Sequence, residues 1–386
     1  MIYLDNATTT FPKPQAVKDI VQVNLTNAFG TPGRGPHTSA LRANVAVENV
    51  RRDFSEFFGV LDAFRVVFTY SATDALNMCI KGFLDEGDHV LISSMEHNSV
   101  LRPLKGLENQ GKITLDYIAC DKKGYILMDD LEEKLKQNPK LVIVSHASNV
   151  TGAVQSIYKI GQKVRGAGAY FLVDAAQTAG VLPIHMSNDW IDFLAFSGHK
   201  GIFGLQGTGG LILGSRIEKL RPWREGGAGF DSESETQPVN WPETFEAGTH
   251  NVFGIISMGE GLRFIQEQSL EKIARMEKEK IQWIWEEFSQ YENIVLYGPS
   301  PEEERVGVLS FRILGWDPED IGKILAQNYG IQVRSGLQCS PLAHKRLETF
   351  PEGTIRVSPG IFSTKQEICH FLKAIETICM TEVHWF

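Results

Sequence analysis

The sequence predicts an α/β fold: a large part with a mostly parallel central sheet flanked by helices, then a smaller α/β C-terminal part. Between about residues 65 and 215, short apolar, β-branched runs alternate with helical stretches. Those runs show little in–out alternation, which marks strands buried on both faces, as parallel strands under crossover helices are. After Gly248 the pattern changes to long helices and a mixed strand–helix stretch.

The first run, Arg65–Tyr70, is followed by a helical pattern over Thr73–Leu84, with Ser71 or Thr73 as its cap. Strands follow at His89–Ser93 and Thr114–Ala119, a short helix at Asp130–Leu135, and a strand at Leu141–His146. Ile160–Gly166 reads as a helix leading into Tyr170–Ala175; Phe193–His199 and Gly209–Gly214 complete the series. Downstream, Ile255–Gln268 and Ser269–Tyr291 read as helices, the second charged on its outer face. Val306–Ile313, Pro318–Gln327 and Ile331–Arg334 read as strand, helix and strand, and a last helix covers about Lys365–Met380. The expected division is a large domain over 15–254 and a small one made of 1–14 and 255–386, both within usual domain sizes. Gly226–Gly229 and Asp231–Gln237 read as a loop.

Composition excludes several classes. With 386 residues, 42% hydrophobic and 22% charged, the chain reads as a globular protein. A net charge of −9 gives a nucleic-acid partner no electrostatic support. No apolar run approaches the roughly 20 residues of a membrane helix, and the N-terminus lacks the basic and apolar regions of a signal peptide. Five cysteines without Cys-x-x-Cys spacing point to a reducing cytoplasm rather than a disulfide framework, and to no metal site.

The chemistry centres on Lys200, which closes Ser197-Gly198-His199-Lys200. An amine kept reactive near neutral pH serves Schiff-base chemistry with a carbonyl. Asp174 ends the apolar Leu172-Val173-Asp174 run, and a carboxylate there suits a pyridinium nitrogen. The hydroxyl and imidazole before Lys200 suit a phosphate, as do the exposed amides opening the helix at Ala72-Thr73. Aldehyde, ring nitrogen and phosphate together describe pyridoxal 5′-phosphate (PLP). His97 and Asn149 follow other strands at the same sheet edge, where open α/β sheets place ligands. Cys339 lies in a polar Gly/Ser/Pro loop, unlike the cysteines within apolar helical patterns, and there a thiol can react.

Together these motifs resemble the cysteine desulfurases of the class V aminotransferases, which are fold type I PLP enzymes. Tyr3-Leu4-Asp5-Asn6-Ala7-Thr8-Thr9, Gly33-Arg34-Gly35-Pro36-His37-Thr38 and Phe245-Glu246-Ala247-Gly248-Thr249 carry the likeness besides the lysine and cysteine motifs. The resemblance implies that Lys200 holds the cofactor and moves the Cα proton, Asp174 binds the ring nitrogen, His97 stacks on the ring, and Gln177 meets its phenolate oxygen. Ala72, Thr73, Ser197 and His199 would hold the phosphate, joined by Thr249 from the second subunit of a homodimer. Arg356 and Asn149 would grip the substrate carboxylate, with Arg334 and His37 lining the same cavity. L-cysteine would become L-alanine, its sulfur passing to Cys339 as a persulfide and then to an acceptor protein, for iron–sulfur cluster assembly or another sulfur pathway. The Arg334–Cys339 spacing resembles the group II, SUF-type enzymes, although Leu337-Gln338 stands where that group often carries histidines. The alternatives within the class are selenocysteine lyase, acting on L-selenocysteine, C–S lyase and transaminase.

Overall fold

The computed structural model describes residues 1–26, 29–33, 35–227, 229 and 231–380. Seven strands form one sheet in the order Val66–Thr69, Gly209–Leu213, Phe193–Ser197, Tyr170–Asp174, Leu141–Ser145, Asp88–Ser93, Ile113–Ile118. Gly209–Leu213 runs antiparallel to both neighbours, and the rest run one way. Each of these strands lies within a residue or two of its expected bounds.

Successive residues of a strand feed opposite cores, as the two-residue side-chain period requires. Val142 and Val144 join Phe54, Phe171, Phe196 and Met258 on one face. Leu141 and Ile143 join Leu76, Val100 and Leu213 on the other. Helices Thr38–Phe57 and Val252–Gln268 cover the first face, Ala72–Phe83 and Asn98–Asn109 the second. Each such fully buried side chain contributes about 1.5–3 kcal/mol.

A second, four-stranded antiparallel sheet runs in the order Arg334–Gly336, Thr354–Val357, Leu309–Ile313, Ile294–Tyr297. Its core gathers Phe311 and Ile355 with Ile281 and Phe288 of helix Leu270–Phe288, Ile321 of Pro318–Tyr329 and Phe371 of Lys365–Met380. The single strand expected at Ile331–Arg334 is two pieces. Ile331–Gln332 pairs in parallel with Ile2–Tyr3, whereas Arg334–Gly336 joins the second sheet. The N-terminal arm is thereby fastened to the C-terminal part. Helix Val252–Gln268 contains the expected boundary at 254 and packs on the large sheet through Ile255, Met258 and Leu262. Arg34 of the early glycine motif and Ala228 of the glycine-rich loop lie outside the described residues.

Candidate active site

The parallel strands deliver their C-terminal ends to one cavity of about 140 Å³, lined by Ser71, Ala72, Thr73, His97, Ser99, Ser145, Ala147, Asn149, Asp174, Ala176, Gln177, Ser197, His199 and Lys200. The structure therefore brings together nearly all the residues expected to meet a cofactor. Asp174 is the last residue of its strand and Ser197 the last of the next.

Gly198 lets the lysine segment approach its surroundings. A Cβ there would stand 2.2 Å from Thr208 Oγ1 and 2.3 Å from Met258 Sδ. The following carbonyl, that of His199, is braced by the N-terminal arm: it accepts from Thr10 Oγ1 at 3.2 Å and Lys13 Nζ at 2.8 Å. Burial lowers the Lys200 amine to about 8, with Asp174 opposing and Arg356 assisting. Burial pushes the Asp174 carboxyl up, against the Ala176 N–H that it accepts at 2.9 Å and the nearby Lys200 charge.

His97 caps helix Asn98–Asn109, its Nδ1 accepting the Ser99 N–H at 3.1 Å. Burial, aided by Lys200 and Arg356, lowers its imidazole to about 4, so a neutral ring lines the cavity at neutral pH. Across the cavity, Ser71 caps helix Ala72–Phe83 and accepts the Asp74 N–H at 3.1 Å. The first-turn amides of such a helix suit an anion. His199 Nδ1 is buried without a hydrogen-bond partner.

Cys339 is exposed in the loop after Arg334–Gly336, with Arg334 Nη2 3.9 Å from its sulfur. Ser340 N–H closes a turn onto the Leu337 carbonyl at 2.8 Å. Both central residues are left-handed, Gln338 at φ 41° and Cys339 at φ 60°. Such backbone costs on the order of 1–3 kcal/mol per non-glycine residue and persists only when neighbours over-determine it. Asn149 reaches this turn from the cavity wall: its Nδ2 donates to the Gln338 carbonyl at 2.8 Å and its Oδ1 accepts from Ser340 Oγ at 2.7 Å.

Arg356 is buried and donates to the Asn149 carbonyl at 3.0 Å, to Asp5 at 2.7 Å and to Thr8 at 2.8 Å. Its Nε is buried and unpartnered. Gln177 Nε2 donates to the Ala7 carbonyl at 3.1 Å, again tying the arm to the cavity.

Arg334, Cys339 and Arg356 are not among the residues lining this cavity, and two further expected residues stand apart. Thr249 is exposed and lines a separate depression with Tyr70, Thr208 and Arg224. His37 is exposed and caps helix Thr38–Phe57, its Nδ1 accepting the Ala40 N–H at 3.3 Å. Neither lines the cavity within this chain.

Sequence reading missed Glu96, buried and accepting from Ser93 Oγ at 2.6 Å and Ser145 Oγ at 2.7 Å. Burial raises it to about 7, and Asp174 adds to the rise. Its place directly before His97 was the available signal. It also missed the Asp5 anchor for Arg356 and the partners of Gln338, which contact only in three dimensions.

An open α/β sheet that directs a half-buried lysine and a buried carboxylate into one cavity at its strand ends defines an enzyme fold with a reactive amine. The chain belongs to the aminotransferase class-V family, whose model matches residues 2–371. It is 32% identical to a protein of Pyrococcus abyssi described as a probable cysteine desulfurase, over 98% of this chain and 94% of that one. A probable cysteine desulfurase of Methanothermobacter thermautotrophicus is 31% identical, with the same coverage. Among solved structures, a cysteine desulfurase from Thermococcus onnurineus superposes with a TM-score of 0.92 at 32% identity, covering 98% of this chain and 94% of that one. The desulfurase CsdA of Escherichia coli, in an S-sulfonic acid form, gives 0.87 at 25% identity, over 97% and 94%.

Proposed function

We propose that this protein is a PLP-dependent cysteine desulfurase that converts L-cysteine to L-alanine and carries the sulfur on Cys339 as a persulfide. The observation that carries the reading is the cavity uniting Lys200, Asp174 and His97, with Cys339 on a turn fastened to the same wall through Asn149. The residues present fit the cofactor. Lys200 would hold its aldehyde and Asp174 its ring nitrogen, and the unpartnered His199 Nδ1 with the first helical turn at Ala72-Thr73 would hold its phosphate.

PLP, when bound, supplies the electron sink that makes a Cα proton removable. The remaining work belongs to the chain. A lysine held at about 8 is partly deprotonated near neutral pH, so Lys200 can accept the Cα proton. The unpartnered Nε of Arg356 provides a buried cationic donor for the substrate carboxylate. Neutral His97 presents a flat face rather than a charge. The Cys339 thiolate attacks the substrate sulfur; the new S–S bond forms as C–S breaks, the electron pair goes to carbon, and protonation yields alanine.

The same reading includes a homodimer in which Thr249 completes the partner's phosphate site, a cytoplasmic location, and a sulfur-acceptor protein, with iron–sulfur cluster assembly as its outlet. Among the described residues no helix is long and apolar enough to cross a membrane. The reading also divides the chain at 15–254 against 1–14 plus 255–386, with the working boundary moved to the end of helix Val252–Gln268.

The test is a substrate panel of L-cysteine, L-selenocysteine and cystine, with alanine, pyruvate and sulfide measured, on wild type and Cys339→Ala. Alanine from cysteine, one sulfur gained on the Cys339 peptide and loss of both in Cys339→Ala support the reading. Wild-type turnover of cysteine by Cys339→Ala refutes it in favour of a lyase or transaminase.

A further inference from the structure

Gln338 and Ser340 flank the exposed Cys339, yet they are only 4% and 0% exposed. Their polar groups have specific partners. Gln338 Oε1 lies 2.8 Å from His344 Nε2, and its Nε2 donates to the Thr354 carbonyl at 2.7 Å. Burial lowers the His344 imidazole to about 4, so it is neutral at neutral pH. With Gln338 Oε1 as acceptor, the ring proton sits on Nε2, leaving Nδ1 to accept from Thr349 Oγ1 at 2.8 Å. The turn's outer rim is held as well, because the Cys339 carbonyl accepts the Asn98 N–H at 2.8 Å. A turn left-handed at both central residues normally selects glycine, asparagine or aspartate; here it carries glutamine and cysteine.

We infer that Gln338, locked by His344, and Asn149 are positioning residues that hold the Leu337–Ser340 turn in this conformation and so fix the direction in which the Cys339 thiol is presented. The inference rests on the desulfurase reading for its purpose and on this hydrogen-bond set for its substance. Without the clamp, two residues with side chains relax from the left-handed region, and the thiol loses its fixed direction. Reactive atoms displaced by a small distance lose rate before they lose affinity. Cysteine binding, which draws on Arg356 and the cavity wall rather than on Gln338 or His344, is left in place in the variants of those two residues.

The experiment compares wild type, Gln338→Ala, Gln338→Gly, His344→Ala and Ser340→Ala as PLP-loaded, full-length proteins. Amide hydrogen exchange over residues 335–342 reads the clamp itself. Release of the turn accelerates exchange there by about tenfold in Gln338→Ala and His344→Ala, the factor one net hydrogen bond supports, and leaves 170–200 unchanged. Single-turnover sulfur gain on Cys339, followed by mass, falls by a similar factor, while the L-cysteine concentration that half-saturates the cofactor's absorbance change stays within about twofold. Glycine at 338 adopts positive φ without strain, so Gln338→Gly recovers part of the rate lost in Gln338→Ala. A merely structural role lowers cysteine binding and sulfur gain together. Should the larger substitutions prevent folding, Ser340→Ala removes one bond of the clamp and gives the same pattern at smaller size. Unchanged exchange, wild-type sulfur gain in Gln338→Ala, or equal loss of cysteine binding and sulfur gain overturns the inference. A wild-type protein that gains no sulfur refutes the desulfurase reading instead, and exchange alone then decides the clamp.

Discussion

Replacing Arg51 by methionine should destabilise the protein far more than a change on an ordinary helix face. Arg51 is 1% exposed, on helix Thr38–Phe57, and meets Glu246 with two bonds of 2.8 Å. The same guanidinium donates to the Val66 carbonyl and lies 4.8 Å above the Phe68 ring. Glu246 in turn accepts the Phe68 N–H at 2.6 Å. The pair therefore ties a helix, the edge strand and the Phe245–Thr249 segment together. Burial alone pushes the Glu246 carboxyl up, but Arg51 and His250 outweigh it and hold the group at about 2. Removing one partner of a buried pair leaves an uncompensated charge and costs about 3–5 kcal/mol. At no more than about 2 °C per kcal/mol for a chain of this size, Tm should drop by at most roughly 6–10 °C.

The pH dependence has a definite sign. A carboxyl whose folded pKa is depressed contributes stability that is full above its unfolded pKa, about 4.3, and is lost as pH falls through the folded value. The gap between wild type and Arg51→Met should be widest near neutral pH and narrow as the pH falls towards the wild-type folded value of about 2, because the variant's Glu246, without Arg51, takes up its proton at higher pH. Adding Glu246→Gln removes the stranded charge and keeps an acceptor for Phe68, so the double variant should regain at least about 2 kcal/mol. Urea unfolding and calorimetry measure all three variants. A single-variant cost below about 1 kcal/mol, or strict additivity in the double variant, would sink the argument.

Cofactor-free protein should capture PLP at Lys200 with a rate that rises through about pH 8, because burial lowers that amine; borohydride trapping and peptide mapping that find another lysine refute the assignment. Asp174→Ala at full PLP occupancy should lose about a hundredfold or more in turnover, the scale of removing a buried electrostatic partner of a developing charge, with little change in melting temperature. Wild-type turnover would make the residue merely structural. Light scattering at micromolar concentration should report a dimer, and an active, PLP-loaded monomer would contradict the role given to Thr249.

The large sheet was legible because its strands are uninterrupted apolar runs such as Leu141–Ser145 and Phe193–Ser197. Helix Thr38–Phe57 was not read. Its buried stripe is made of Ala40, Ala43, Val47, Val50, Arg51 and Phe54, and the arginine and small residues blur the periodic signal. Pro103 similarly disguises Asn98–Asn109. Strand Thr354–Val357 contains buried Arg356, whose partner Asp5 lies near the other end of the chain. The cavity residues were legible because each follows a strand end in a short motif. Glu96, His344 and the Arg51–Glu246 pair were not, since their meaning depends on partners distant in sequence or on burial. The family resemblance implied a substrate ligand at Asn149, while its engagement with the Cys339 turn is visible only in three dimensions.

The fastening of the first residues to the last part of the chain sets a timetable for synthesis. Asn6 donates to the Ser358 carbonyl, 352 positions further on. Until the ribosome has delivered that stretch, the arm that braces the lysine segment has no strand to zip against. At roughly 5–20 residues per second the wait lasts on the order of tens of seconds. Asp174 and Lys200 emerge well before Arg356. A product truncated before Ile331 keeps Lys200 and Asp174 but lacks the strand that anchors the arm.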